Sequence, residues 1–97
     1  MSTETSVSGF DLDAAYELDP RVALRPERFG ALLYHFGTRR LSFLKSSTLC
    51  RVVNSLGDSS SARLACAASG VEDAELATFA RSLSTLAGSG MIRRRSQ

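Results

Sequence analysis

Histidine and lysine occur once each in this sequence of 97 residues, as His35 and Lys45, and cysteine and proline only twice each. The cysteines, Cys50 and Cys66, fall in no CxxC or Cys/His spacing. That removes the sequence grounds for a metal site or a redox pair and points to reduced thiols in a cytoplasmic protein. No apolar run approaches the ~20 residues that span a bilayer, so no membrane association is expected. The acidic N-terminus lacks the basic start and apolar core of a secretory signal. No GxSxG, HExxH, P-loop or GxGxxG occurs. His35 lies between Tyr34 and Phe36, in a stretch that reads as strand, with no evident orienting group or nucleophile. Carboxylates gather near the N-terminus and at Glu72, Asp73 and Glu75, not as a facing pair. These absences argue against an enzyme and imply no cofactor and no metal.

What remains is the material of one small domain, 43% hydrophobic and 23% charged, with a net charge of +2. Charge is unevenly spread. The first twenty residues carry Glu4, Asp11, Asp13, Glu17 and Asp19 with no Lys or Arg, and the chain ends in Arg93-Arg94-Arg95 before Ser-Gln. Residues 1–12 read as a disordered lead-in, 13–93 as the folded domain and 94–97 as a basic tail, the two ends serving as solubilising, frayed segments.

The organising stretch is Ala31 to Lys45, two apolar arms around Gly37-Thr38-Arg39, which reads as two strands and a turn. In the second arm Leu41 and Phe43 alternate with Arg40 and Ser42, which predicts Leu41 and Phe43 buried and the other pair wet. Upstream, Tyr16-Glu17-Leu18 and Val22-Ala23-Leu24 are short extended pieces interrupted by Pro20 and Pro26, so this strand should be broken or lie at an edge. The first half is then a three-stranded antiparallel meander that needs a helical layer to cover one face.

The second half supplies that layer. Ser46-Ser47-Thr48 offers N-cap hydroxyls to a helix whose apolar stripe is Leu49, Val52, Val53 and Leu56, ended at Gly57. Ser59-Ser60-Ser61 caps a short Ala-rich helix through Ala68. A third helix opens at Val71-Glu72-Asp73, carries Leu76, Phe79, Ala80, Leu83, Leu86 and Ala87 on one stripe, and closes at Gly88-Ser89-Gly90. Met91-Ile92 should pack back on the core. The fold class is α+β, a three-stranded antiparallel sheet followed by three helices.

Strands plus three helices also describe a winged-helix regulator, but a DNA-recognition helix needs several Arg, Lys, Asn or Gln on one face. Arg51 and Asn54, then Arg63, then Arg81 are sparse for that purpose, and no nucleic acid is expected. The alternative is binding by the sheet. The strand Arg40–Leu44 is last in the meander, so one edge should be unpaired and able to take an extended peptide through main-chain hydrogen bonds. Arg39, Arg40 and Lys45 would guard that edge against self-association and attract an acidic peptide, while Phe79 and Leu83 would wall a groove beside it. Pattern alone favours the plainer reading, in which Leu41, Phe43, Phe79 and Leu83 are core. A second copy of the chain on the same edge, a homodimer, stays open.

The run Val22-Ala23-Leu24-Arg25-Pro26-Glu27-Arg28-Phe29-Gly30-Ala31-Leu32-Leu33-Tyr34-His35-Phe36-Gly37-Thr38-Arg39-Arg40-Leu41-Ser42-Phe43-Leu44-Lys45 closely resembles the mycofactocin biosynthesis chaperones, the MftB family. The resemblance implies a winged-helix-like, PqqD-like recognition domain that holds the leader of a ribosomally made precursor peptide as an added strand. It further implies presentation of that precursor to a radical S-adenosylmethionine maturase acting on the peptide's C-terminal Val-Tyr end. Carried to this sequence, the peptide-facing strand is Arg40, Leu41, Ser42, Phe43 and Leu44, and the facing third helix includes Glu75, Phe79, Ser82, Leu83 and Leu86; Arg39 and Lys45 join the candidate residues as the charges at the strand's ends.

Overall fold

The computed structural model describes residues 10–28 and 30–95. Residues 1–9 of the expected lead-in, Phe29 ahead of the hairpin, and residues 96 and 97 of the expected tail lie outside the described residues. The chain runs through β1 (Tyr16–Leu18), β2 (Val22–Glu27), β3 (Gly30–His35) and β4 (Leu41–Leu44). It continues through α1 (Ser47–Ser55), a 3-10 turn (Leu56–Asp58), α2 (Ala62–Ala68), α3 (Asp73–Gly88) and β5 (Ile92–Arg94). The expected meander is β2-β3-β4, all antiparallel, and the three helices follow it in the expected order.

Local chemistry sets the helix boundaries. Ser46 is extended and its hydroxyl accepts from the Leu49 N–H at 3.1 Å, opening α1; Ser61 does the same for Leu64 and α2 at 3.1 Å. At α3 the Glu75 carboxylate turns back to accept from the Glu72 N–H at 3.4 Å, as in a capping box. α1 does not stop cleanly before Gly57 but tightens into the 3-10 turn, with Leu56 fully buried.

The core lies between one face of the meander and the helices. Ala31, Leu33 and Leu44 from the sheet meet Val52, Val53 and Leu56, then Ala62, Ala65 and Cys66, then Leu83 and Leu86. Met91 and Ile92 pack into the same cluster, 0% and 2% exposed. Gly30 is required where β3 starts, because a Cβ there would stand 1.7 Å from the Leu44 carbonyl oxygen.

Three expectations change. First, Tyr16–Leu18 is not the start of a broken first strand. It forms a separate two-stranded sheet, with Tyr16, Glu17 and Leu18 opposite Arg94, Arg93 and Ile92 of β5. The C-terminal arginines are therefore held rather than frayed up to Arg95. Arg93 Nε donates to Glu17 Oε2 at 2.7 Å, Arg95 N–H donates to the Ala15 carbonyl, and the Arg95 guanidinium donates to the carbonyls of Gly57 and Ser59. These carbonyls end the 3-10 turn, where a cation is favourable. Second, Phe10 and Leu12, placed in the disordered lead-in, pack against the core, and Phe10 stacks on Tyr16 at 4.8 Å.

Third, the phase of β4 is inverted. Leu41 is 61% and Phe43 45% exposed, while Leu44 is 2% exposed. Antiparallel pairing places Ser42 beside Leu33 and Leu44 beside Ala31, on the core face, and Leu41 beside Tyr34 and Phe43 beside Leu32, on the other. Leu44 joins Val52 and Val53 of α1 in the core and anchors the strand. The expected alternation is present in β4, with Leu44 and not Leu41 or Phe43 on its inner side.

Candidate binding site at the fourth strand

The sheet has two outer edges, and hydrogen-bond parity decides what each offers. The His35 N–H donates to the Arg40 carbonyl at 3.0 Å, so residues 35 and 40 are a hydrogen-bonded pair. Alternation along the ladder makes 33/42 and 31/44 the next bonded pairs. Ser42 and Leu44 therefore turn their peptide groups toward β3, and Leu41 and Phe43 turn theirs outward. Among the described residues no strand pairs with that outer side.

The opposite edge, along β2, is different. The Phe36 N–H donates to the Arg21 carbonyl at 2.8 Å, and the same counting turns Val22, Leu24 and Pro26 outward. Val22 N–H is already used by the Asp19 carbonyl at 2.8 Å, and Pro26 has no N–H. Only Leu24 has a donor to offer on β2, so that edge is blunted as edge prolines commonly do. The β4 edge keeps both polarities turned outward at Leu41 and Phe43.

Beside this edge runs a groove of about 340 Å³ lined by Ser42, Phe43 and Leu44, by Leu49 of α1, and by Ser82, Thr85 and Leu86 of α3. The sequence-derived residues separate accordingly. Ser42, Phe43, Leu44, Ser82 and Leu86 come together there. Leu41 stands on the outer face of the sheet. Leu83 is fully buried in the core beneath α3, and Phe79 packs partly against the core without lining the groove. The wall expected from Phe79 and Leu83 is supplied instead by Ser82, Thr85 and Leu86, because the apolar stripe of α3 faces the core and its neighbouring strip faces β4. Glu75 is exposed at the first turn of α3 and serves as its cap. Leu49 and Thr85 were missed; Leu49 read as helix stripe, and no motif marks Thr85.

Arg39, Arg40 and Lys45 are exposed at the two ends of β4, and none forms an ion pair with a described residue. Arg39 takes a left-handed backbone, φ 66°, as the chain reverses. The reversal is pinned by His35, which is 2% exposed: its Nδ1 accepts from the Gly37 and Thr38 N–H groups, each at 3.0 Å. With Nδ1 accepting, the ring proton belongs on Nε2, 4.0 Å from Asp19 Oδ2. The Nδ1 lone pair is thus committed to the turn that starts β4. Asp19 is held in turn by Arg21. Side-chain and backbone hydrogen bonds from Arg21 bring its carboxyl down to about 2.

An exposed strand edge, a helix-walled groove beside it and a meander followed by three helices make this a small α+β domain of the PqqD-like fold. Comparison with known proteins places it more closely: the chain belongs to the Peptide chaperone MftB family, whose profile matches residues 15–93. A peptide chaperone MftB of Mycobacterium ulcerans is 57% identical over 83 residues, 86% of this chain and 76% of that protein. One from Mycobacterium tuberculosis is 53% identical over 85 residues, 88% of this chain and 78% of that one. One from Mycolicibacterium smegmatis is 50% identical over 93 residues, 95% of this chain and 91% of that protein. No solved structure matches. No helix among the described residues is long and apolar enough to cross a membrane, and no group of three or more His, Cys, Asp or Glu among them is placed to hold a metal ion.

Proposed function

We propose that this protein is a non-enzymatic, cytoplasmic adaptor that holds the leader of a mycofactocin precursor peptide as an added strand on β4 and presents it to a radical S-adenosylmethionine maturase. The observation that carries the reading is the outward set of the Leu41 and Phe43 peptide groups on an edge without a strand partner, directly beside the groove. Two residues facing outward offer up to four main-chain hydrogen bonds, each worth roughly 0.5–1.5 kcal/mol net. That sum is of the same order as the ~4–15 kcal/mol cost of association, so the side chains entering the groove must supply most of the affinity. Every second guest residue would lie over Leu49, Leu86 and the methyl of Thr85, and this is where leader choice resides. Arg39, Arg40 and Lys45 raise the encounter rate with an acidic leader.

The family names of the relatives, peptide chaperones, support this reading over a DNA-binding one. So do the helix cations: Arg51 donates to the Ser69 carbonyl at 3.3 Å, and Arg63 pairs with Asp13 at 2.8 Å. The test is amide-shift titration with the leader peptide and then with duplex DNA. Shifts at 41–44 and at Ser82, Thr85 and Leu86 with peptide, and none with DNA, are expected. Peptide-induced shifts confined to β2 or α2, or equal shifts with DNA, would overturn the proposal.

A further inference from the structure

The meander covers its core with one face and leaves the other bare, yet the bare face is apolar. Register places Ala23, Tyr34 and Leu41 in one row across it and Arg25, Leu32 and Phe43 in the next. The Phe36 ring meets Tyr34 edge-on at 5.2 Å and is itself 61% exposed. A sheet with one face in water normally alternates apolar inside and polar outside. β3 does not: Leu32 and Tyr34 stand outside as Ala31 and Leu33 stand inside. The rows enclose a shallow depression of about 370 Å³. A contiguous apolar patch of this kind on a small domain marks an interaction surface.

The rim decides what fits it. Arg25 stands in the face itself with Glu27 two residues on along the same side of β2, and Arg39 and Lys45 are exposed beyond the two ends of β4, without ion-pair partners among the described residues. Glu27 is the only carboxylate on the three strands. Cations outnumber that carboxylate around the face, so a second copy would set a like-charged rim against its own. The complementary surface has an apolar centre bordered by carboxylates.

We infer that the outer sheet face is the docking surface for the enzyme that receives the peptide, through such a patch on the enzyme. This rests on the function proposed above. Its further content is linkage. A guest strand on β4 would extend the same sheet, and its outward side chains would adjoin Leu41 and Phe43. The docked enzyme then touches chaperone and peptide together and binds the loaded chaperone more tightly than the empty one, and the peptide is held more tightly in the enzyme's presence by the same factor.

The experiment uses the full chain carrying Leu32→Thr and Phe36→Ser together, neither residue lying on the peptide edge. Leader-peptide affinity is read by fluorescence anisotropy, and affinity for the purified maturase by calorimetry with and without peptide. The expected result is unchanged peptide binding, which also shows that the variant folds, with maturase affinity down about tenfold or more. Maturase binding equal to wild type overturns the inference and leaves the β4 groove untouched. So does a wild-type dimer, seen by sedimentation, that the variant dissolves, because a second copy is then the occupant. Failure of the underlying function shows separately, as a wild-type chain that binds no leader peptide; maturase binding by the variant still judges the face.

Discussion

A pair of proline substitutions one residue apart tests the edge directly. Phe43 turns its N–H away from β3, and Ser42 turns its N–H toward Leu33. Proline fits an edge strand where its missing donor faces outward, and its fixed φ lies within the extended range. Phe43→Pro should therefore keep the meander and delete one main-chain bond to the guest, while its ring obstructs the approaching carbonyl. The bond alone is worth roughly 0.5–1.5 kcal/mol, or about two- to tenfold in Kd. The lost aromatic ring is subtracted by measuring Phe43→Ala beside it. Ser42→Pro instead breaks the ladder and strands the buried Leu33 carbonyl, costing about 1–3 kcal/mol of folding stability. Anisotropy with labelled leader peptide reads the first quantity and urea denaturation the second. Equal peptide binding by Phe43→Pro and Phe43→Ala would refute an outward N–H at Phe43. A Ser42→Pro protein as stable as wild type that loses only peptide binding would show the parity of the edge to be reversed.

Other outcomes follow from single contacts. Gly30→Ala puts a Cβ 1.7 Å from the Leu44 carbonyl oxygen, so β3 and β4 must separate at that point; a loss of about 3 kcal/mol or more in denaturation is expected, and a loss under about 1 kcal/mol would refute the close approach. The Asp19 carboxyl is held down to about 2 from 3.8, so the native state binds fewer protons than the unfolded chain below pH ~5. That stabilisation, roughly 1–2 kcal/mol after allowance for the exposed Arg21, is present above the unfolded value and fades as pH falls through the folded one. Asp19→Asn should flatten the acid limb of the stability curve, and parallel curves for the two proteins would contradict it. Reversing both Arg39 and Arg40 to Glu should slow association with an acidic leader and reduce its salt dependence, measured by stopped flow; unchanged on-rates would remove the electrostatic part. Burial raises both thiols, so Cys50 and Cys66 should alkylate slowly at neutral pH, and rapid labelling of Cys66 in the native state would contradict its place in the core.

The elements that could be read from sequence are those whose signals are local. Ser46 and Ser61 are caps because a hydroxyl at that position meets an N–H three residues on, and the stripe of α3 reaches the core because 3.6 residues make a turn. The β1–β5 sheet was not legible, since it pairs residues at opposite ends of the chain and each strand has only three residues, too few for a pattern. The phase of β4 failed for another reason. β3 is apolar on both faces, so its neighbour could not borrow a direction from it, and the two candidate insides, Leu41 with Phe43 or Ser42 with Leu44, differ by one residue. What settles the choice is long-range register: Ser42 and Leu44 stand opposite Leu33 and Ala31, the β3 residues that the helices cover.

That failure bears on the site more than on the fold. With Leu41 and Phe43 inside, the register would turn Leu32 and Tyr34 inward as well and put Ala31, Leu33 and Leu44 on the bare face. With the phase corrected, Leu41 and Phe43 keep their peptide groups on the vacant edge while their side chains join Leu32, Tyr34 and Phe36 on a bare apolar face. Core packing alone gives no reason to keep Tyr34, Phe36 and Leu41 apolar in water. Pro26 sharpens the point, because it removes a donor from the β2 edge, where Leu24 alone keeps a free outward N–H, while the β4 edge bordered by that face keeps two. Under the proposed function the sheet is extended along β4 and covered on its outer face, which accounts for the apolar side chains exposed there.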